Sequence, residues 1–181
     1  MAVAIGDRRV SWTPVSSADP DGGLKARLRC AACGFTHWNN PTPVLAAVVE
    51  CADQGGRILL ARNAAWSGKL FALITGFMEA GETPEQGIAR EVQEETALEV
   101  DACSLIGVYD FQRMNQVIIA YHVVAHGEVR LSPELAEYRL FAPGDVVCWP
   151  AGTGYALAEF LKRRGIEPQF FDWSAGPPGA S

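Results

Sequence analysis

Seven glutamates crowd into the stretch from Glu79 to Glu99, at positions 79, 82, 85, 91, 94, 95 and 99, with Arg90 as the one base among them. That is a third of the chain's 21 acidic residues within 21 positions. Thr83, Pro84 and Gln86 have the types of an N-cap, a first helical residue and the closing member of a capping box, which predicts a helix from Pro84 to about Thr96. On that helix Glu91, Glu94 and Glu95 fall within an arc of roughly 100°. Like charges at this spacing each cost a few tenths of a kcal/mol, and carboxylates in the last turns also oppose the helix dipole. Local stability does not select such a pattern. A divalent cation resolves the conflict, because hard cations such as Mg²⁺ take oxygen ligands and keep positions open for water and a substrate phosphate.

The residues from Gly76 to Leu98 carry more than acid. Gly76, Glu82, Arg90, Glu91, Glu94 and Glu95, with aliphatic Val92 and Leu98, stand at the spacing G-x5-E-x7-R-E-U-x-E-E-x-G-U, and this resembles the box of the Nudix hydrolases. Ala97 stands where that pattern has Gly. If position 97 must take φ > 0 to end the helix, Ala costs on the order of 1 kcal/mol there. The resemblance implies hydrolysis of a nucleoside diphosphate derivative by attack of water on phosphorus. It implies Glu91, Glu94 and Glu95 as ligands of Mg²⁺ or Mn²⁺, helped by a main-chain carbonyl near Thr75 or Gly76, with Arg90 paired to Glu82 to hold the loop against the helix. The general base is left among Glu94, Glu95 and the later loop acids Glu134 and Glu137.

Placing those carboxylates requires a frame. Pro43–Glu50 and Arg57–Asn63 read as a hairpin across Asp53-Gln54-Gly55-Gly56. Leu70–Thr75, Leu98–Tyr109, Gln116–His126 and Tyr138–Ala142 read as further strands, and Thr153–Arg164 as a helix with Leu157, Phe160 and Leu161 on one side. The fold class expected is α/β, and the resemblance implies an α/β/α sandwich with a mixed sheet. Residues 41–168 are expected to form this domain. Residues 1–40 are expected to form an N-terminal extension built on a hairpin of Arg8–Thr13 and Lys25–Cys30, turned by Ser17–Gly23. Residues 169–181 are expected to be a loose tail.

Cys30-Ala31-Ala32-Cys33 followed by Gly34, His37 and Asn40-Pro41 resembles the second knuckle of the zinc ribbon that precedes the domain in NADH- and FAD-pyrophosphatase-like relatives. Structural zinc needs four ligands. Cys30, Cys33 and His37 supply at most three, so a metal-free vestige is expected. The resemblance extends weakly over Arg29–Arg164. The NADH-selective run S-Q-P-W-P-F-P-x-S is absent, and Arg113 and Met114 stand where some ADP-ribose enzymes place a proline. The substrate is therefore left open among ADP-ribose, a NADH- or FAD-type dinucleotide and a nucleotide sugar. Phe71, Phe77, Tyr109 and Phe111 are aromatics that could stack a base or serve the core, and Gln116 is a candidate polar contact. Arg8, Arg9, Lys25, Arg27 and Arg29 outweigh Asp7, Asp19 and Asp21 in the first 29 residues, which suits either a solvated hairpin face or arginines that reach a diphosphate, with Trp12 near the base.

The 181 residues are 49% hydrophobic and 20% charged, as in a folded globular chain rather than a disordered or fibrous one. A net charge of −6 disfavours long nucleic acid and anionic lipid. The longest apolar run, Val44–Val49, is too short for a membrane helix. Asp7-Arg8-Arg9 follows closely on Met1 with no secretory core, and five scattered cysteines do not form a disulfide framework. A cytoplasmic location is expected. A homodimer is the expected assembly, since symmetric pairs are the commonest oligomers. Two rival functions are a nucleotide-sensing domain without turnover and a nucleoside triphosphate hydrolase.

Overall fold

A computed structural model describes residues 4–5, 8–9, 11–18, 23–66, 68 and 70–171, with backbone alone at 4–5, 8–9, 17, 18 and 25. The chain divides into two compact units, residues 1–41 and 42–181.

The first unit holds β1 (Ala4–Ile5), β2 (Arg8–Arg9), β3 (Trp12–Ala18), β4 (Leu24–Cys30) and β5 (Thr36–His37). β1 pairs with β2, and β3, β4 and β5 form an antiparallel sheet in that order. The first strand of the expected hairpin lies later than Arg8–Thr13, while the second falls close to Lys25–Cys30: Trp12 pairs with Cys30 and Ala18 with Leu24, so Ser17 and Ala18 belong to a strand rather than a turn. The predicted turn at residues 19–22 and the side chains of Arg8, Arg9 and Lys25 lie outside the described residues. Arg29 Nε donates to the Gly34 carbonyl at 3.0 Å, and the Arg27 guanidinium lies 5.7 Å from the Trp38 ring centroid. All five cysteines are free thiols.

The second unit contains β6 (Thr42–Cys51), β7 (Arg57–Asn63), β8 (Ile74–Phe77), α1 (Pro84–Thr96), β9 (Glu99–Phe111), β10 (Gln116–His126), β11 (Leu135–Phe141), β12 (Val147–Cys148), α2 (Thr153–Arg163) and β13 (Gln169–Phe170). Its main sheet runs β11-β7-β6-β10-β9, with β8 also on β6. β6 and β10 are parallel and the other pairings antiparallel, which makes the sheet mixed. β6 is buried without alternation from Leu45 to Val49 because both of its faces are covered. Ala46 and Val48 join Leu157, Phe160 and Leu161 of α2 on one side. Leu45, Ala47 and Val49 join Ile88 and Val92 of α1 on the other. Each of these large side chains contributes about 1.5–3 kcal/mol by leaving water. The result is the expected sandwich of a mixed sheet between helices.

One edge of β6 serves two partners. Val49–Cys51 pair with Arg57–Leu59 of β7, whereas Val44–Ala47 pair with Ile74–Phe77 of β8. The expected strand at Leu70–Thr75 is therefore displaced: only Ala72 makes a bridge, to Ala61, and the ladder begins at Ile74. The shift carries Gly76 and Phe77 into the sheet. β11 starts at Leu135, three residues before its apolar signal. The predicted tail begins with structure, since Gln169–Phe170 pair in parallel with Val147–Cys148; residues 172–181 lie outside the described residues. Among the described residues no helix is long and apolar enough to cross a membrane.

Candidate active site

α1 begins with the capping box anticipated from sequence. Thr83 Oγ1 accepts from the Gln86 N–H at 3.3 Å and Gln86 Oε1 accepts from the Thr83 N–H at 2.9 Å. It ends at Ala97, whose φ of 60° is left-handed and whose N–H bonds Gln93 O. Beyond this cap the Arg130 and Ser132 N–H groups donate to the Thr96 and Glu95 carbonyls. These bonds draw the loop carrying Glu134 to the end of the helix.

The helix lies close against β8 and β6. A Cβ on Gly76 would overlap the Glu91 carboxylate, and one on Gly87 would meet Glu82 Oε1 and Leu45 Cδ1 at 2.5 Å. Gly76 is opposite Leu45 in the sheet, so the first box residue is a cradle in which the Glu91 carboxylate rests against the backbone. Sequence reading did not single out Gly87; its place on the buried side of α1 was the available signal.

Arg90 ties this region together. Its Nε and Nη2 grip Glu82 Oε2 and Oε1 at 3.1 and 3.0 Å. Nη1 reaches Glu91 Oε1 at 2.8 Å and Glu94 Oε2 at 3.0 Å, and Nη2 donates to the Phe77 carbonyl at 3.2 Å. Glu82 Oε1 also accepts the Glu79 N–H at 2.7 Å. These bonds, those from Arg90 foremost, hold the Glu82 carboxyl below its usual range, and the same pairings raise Arg90 further.

The remaining carboxylates are less fully compensated, since Glu91 and Glu94 share Arg90 Nη1. Burial pushes Glu91 up, against the pull of Arg90 and with Glu94 and Glu134 adding to the rise. Burial pushes Glu95 up to about 7, helped by the charges of Glu91, Glu134 and Glu94. Glu91, Glu94, Glu95 and Glu134 line one cavity of about 450 Å³, together with Gly76 and Phe77. Among the described residues no three Asp, Glu, His or Cys side chains stand gathered at metal-ligand spacing. The donor set nevertheless fits a hard divalent cation. It consists of oxygen donors whose negative charge exceeds what the one guanidinium of Arg90, already gripping Glu82, offsets, and the glycine leaves room for Glu91 against a backbone that can offer a carbonyl.

Two expected residues lie elsewhere. Glu137 does not line the cavity. It pairs in β11 with Arg139 at 3.0 Å and approaches Arg62 of β7 at 3.7 Å, because a register shift between Leu135 and Glu137 sets it opposite Arg62. Phe71 packs against the α2-side core, with the Arg139 guanidinium 4.4 Å from its ring centroid. Phe77 and Gln116 do line the carboxylate cavity. Tyr109 packs against the core, and Phe111 lines a neighbouring cavity.

The chain matches the NUDIX domain over residues 41–163. It is 28% identical over 147 residues to the NAD-capped RNA hydrolase NudC of Stutzerimonas stutzeri (strain A1501), covering 78% of this chain and 52% of that one. It is 33% identical over 97 residues to the protein of the same name from Mycobacterium tuberculosis (strain ATCC 25177 / H37Ra), covering 52% of this chain and 31% of that one. The chain thus spans about half the length or less of these curated relatives. The crystal structure of a NUDIX hydrolase from Nitrosomonas europaea superposes with a TM-score of 0.68 at 26% identity, covering 87% of this chain and 91% of that one. A domain match over most of the chain, on top of the box geometry around Gly76 and α1, makes the chain a member of the Nudix family.

Proposed function

We propose that residues 41–168 form a pyrophosphohydrolase that cleaves the diphosphate of a nucleoside diphosphate derivative by attack of water on phosphorus. The observation that carries this reading is the convergence of Glu91, Glu94, Glu95 and Glu134 on one cavity beside the Gly76 cradle. Glu91, Glu94 and Glu95 hold Mg²⁺ or Mn²⁺, which when bound neutralises charge on the phosphate oxygens and makes water nucleophilic. Arg90 and Glu82 position the loop against the helix and do not touch substrate. Glu134 is the proton acceptor preferred over Glu137, since it faces the cavity and has no hydrogen-bonded side-chain partner among the described residues.

The name carried by the relatives favours an NAD-type dinucleotide within the substrate class, and the net charge of −6 favours the free dinucleotide over a long RNA. The reading includes a cytoplasmic, homodimeric protein with no structural zinc. Its test is incubation of wild type and Glu95→Gln with Mg²⁺ and ADP-ribose, NADH, FAD, nucleotide sugars or nucleoside triphosphates, with products identified by mass. Release of a nucleoside monophosphate by wild type, lost in Glu95→Gln and on chelation, is expected. No turnover of any compound, alongside thermal stabilisation by one of them, overturns the hydrolase and installs the sensing domain.

A further inference from the structure

The first unit is small for a self-supporting fold. At about 40 residues a chain buries little apolar surface, and below that size it usually needs a disulfide, a metal or a partner. Among the described residues of positions 1–41, Cys30 alone is buried, at 6% exposure. The same cysteine opens a tight turn. The Gly34 N–H donates to the Cys30 carbonyl at 3.0 Å and the Cys30 N–H to the Phe35 carbonyl at 2.8 Å, with Gly34 at φ +74°. Cys33, the fourth residue of this turn, is exposed. A single hydrogen-bonded turn keeps its first and fourth residues within about 7 Å, and a disulfide spans Cα atoms about 4.4–6.8 Å apart. The turn is braced on both sides: the Ala31 N–H donates to the Ser11 carbonyl at 3.0 Å, and Arg29 Nε donates to the Gly34 carbonyl at 3.0 Å. The N–H groups of Cys33 and Ala32 bond the Cys30 sulfur, the Cys33 thiol shares a hydrogen bond with it, and together they hold Cys30 below the usual thiol range. The other cysteines differ. Cys51 and Cys148 are fully buried, burial pushes both up to about 11, and burial raises Cys103 too.

We propose that Cys30 and Cys33 are a reversible oxidation site, closed by hydrogen peroxide to an intrachain disulfide that staples the turn between β4 and β5. The two sulfurs already share a hydrogen bond, so no strand has to move for them to join. Access separates their roles. The exposed Cys33 sulfur attacks the peroxide: an S–O bond forms, the O–O bond breaks, and the departing hydroxide leaves as water with the thiol proton, giving a sulfenic acid. The Cys30 sulfur then attacks that sulfur. The S–S bond forms, the S–O bond breaks, and the hydroxide released takes the Cys30 proton. In sum, two thiols are oxidised to a disulfide and one hydrogen peroxide is reduced to two waters. Exchange with an added thiol opens the bond again, so in a reducing compartment the pair is open at rest and closes transiently. Burial keeps Cys51 and Cys148 out of the reaction. Among the described residues no third Asp, Glu, His or Cys side chain joins the pair at metal-ligand spacing, which leaves the thiols to each other.

The test uses the full chain, reduced, freed of reductant and then exposed to hydrogen peroxide, with the remaining thiols alkylated and mapped by peptide mass. Loss of the mass of two hydrogens, located to a link between Cys30 and Cys33 and reversed by dithiothreitol, is expected. Cys51, Cys103 and Cys148 should remain thiols. The same samples are digested with a trace of protease. Cleavage within residues 1–41 is expected to slow by about tenfold on oxidation, while cleavage of the second unit is unchanged. In Cys30→Ser, which has no second thiol at the turn, the Cys33 sulfenic acid is expected to persist and to be trapped by dimedone. A dimedone adduct on Cys30 in Cys33→Ser, with none on Cys33 in Cys30→Ser, overturns the assigned order of attack. Cys33 carried to the sulfinic acid while Cys30 stays free overturns the proposal, as does a disulfide between two chains or zinc retained on the pair in the reduced wild type. Proteolysis that does not slow once the disulfide has formed overturns the stapling.

Discussion

Gly76 is a glycine for reasons of space. The position lies in an ordinary strand, yet any side chain there would overlap the Glu91 carboxylate. Gly76→Ala is therefore expected to leave the sheet intact and to push Glu91 out of its cradle. A displacement of about 1 Å of a reacting group typically costs about 100-fold in rate, and kcat is expected to fall by that order. Steady-state kinetics beside a thermal melt check this: unaltered kcat would show that Glu91 works equally well away from the backbone. The box resemblance marked Gly76, Glu82, Arg90 and the three glutamates proposed here as metal ligands. It could not show that Arg90 also pairs with Glu91 and Glu94, because that depends on rotamers within a shared space.

The helix that carries the carboxylates is well begun and poorly ended. Its capping box satisfies two N-terminal donors, and replacing Thr83 by Ala is expected to cost about 1 kcal/mol. At the other end Ala97 holds φ at 60°, a conformation that costs a residue with a Cβ about 1–2 kcal/mol. Ala97→Gly is accordingly expected to stabilise the chain by about 1 kcal/mol, raising Tm by roughly 2–4 °C for a chain of this size. Its kcat should stay within twofold, since the cap is not a ligand. A Tm unchanged or lowered would mean that the extra freedom of glycine in the unfolded chain cancels the relief. Both helix ends were legible because capping chemistry is local. The placement of β8 was not. Leu70–Leu73 are as apolar as a strand, but the β6 edge opens to a ladder only at Ile74.

Across the second unit, β6, β10 and the end of α2 meet at Glu50. His122 Nε2 lies 2.6 Å from Glu50 Oε2, and Arg164 donates to the same oxygen. Burial pushes the Glu50 carboxyl up, but the hydrogen bonds from Arg164 and His122 outweigh it and leave the group below its usual range. Such a carboxyl binds fewer protons when folded. Its contribution is complete above its unfolded value of about 4.3 and is lost as pH falls through the lower folded value. Glu50→Gln is expected to lower stability at neutral pH by about 1.5–3 kcal/mol and to flatten the acid side of the stability profile. Urea melts from pH 7 down to pH 3 measure it; parallel profiles for variant and wild type would assign the acid sensitivity to other groups.

The order of strands and helices, the capped carboxylate helix and the six box residues could be read from the chain because each depends on neighbours a few positions away: periodicity, capping and i,i+4 spacing are local properties. Three features required the folded chain. Glu134 faces the carboxylates and Glu137 does not, because a register shift in β11 turns the second toward Arg62. Phe71 packs under Arg139 while Trp66, Met114 and Trp149 form the wall of a cavity. The high proton affinity of Glu95 arises first from burial, and beside its helix neighbours Glu91 and Glu94 it feels Glu134 from a distant loop. Each of these depends on which distant residues share one volume, and sequence spacing does not encode that.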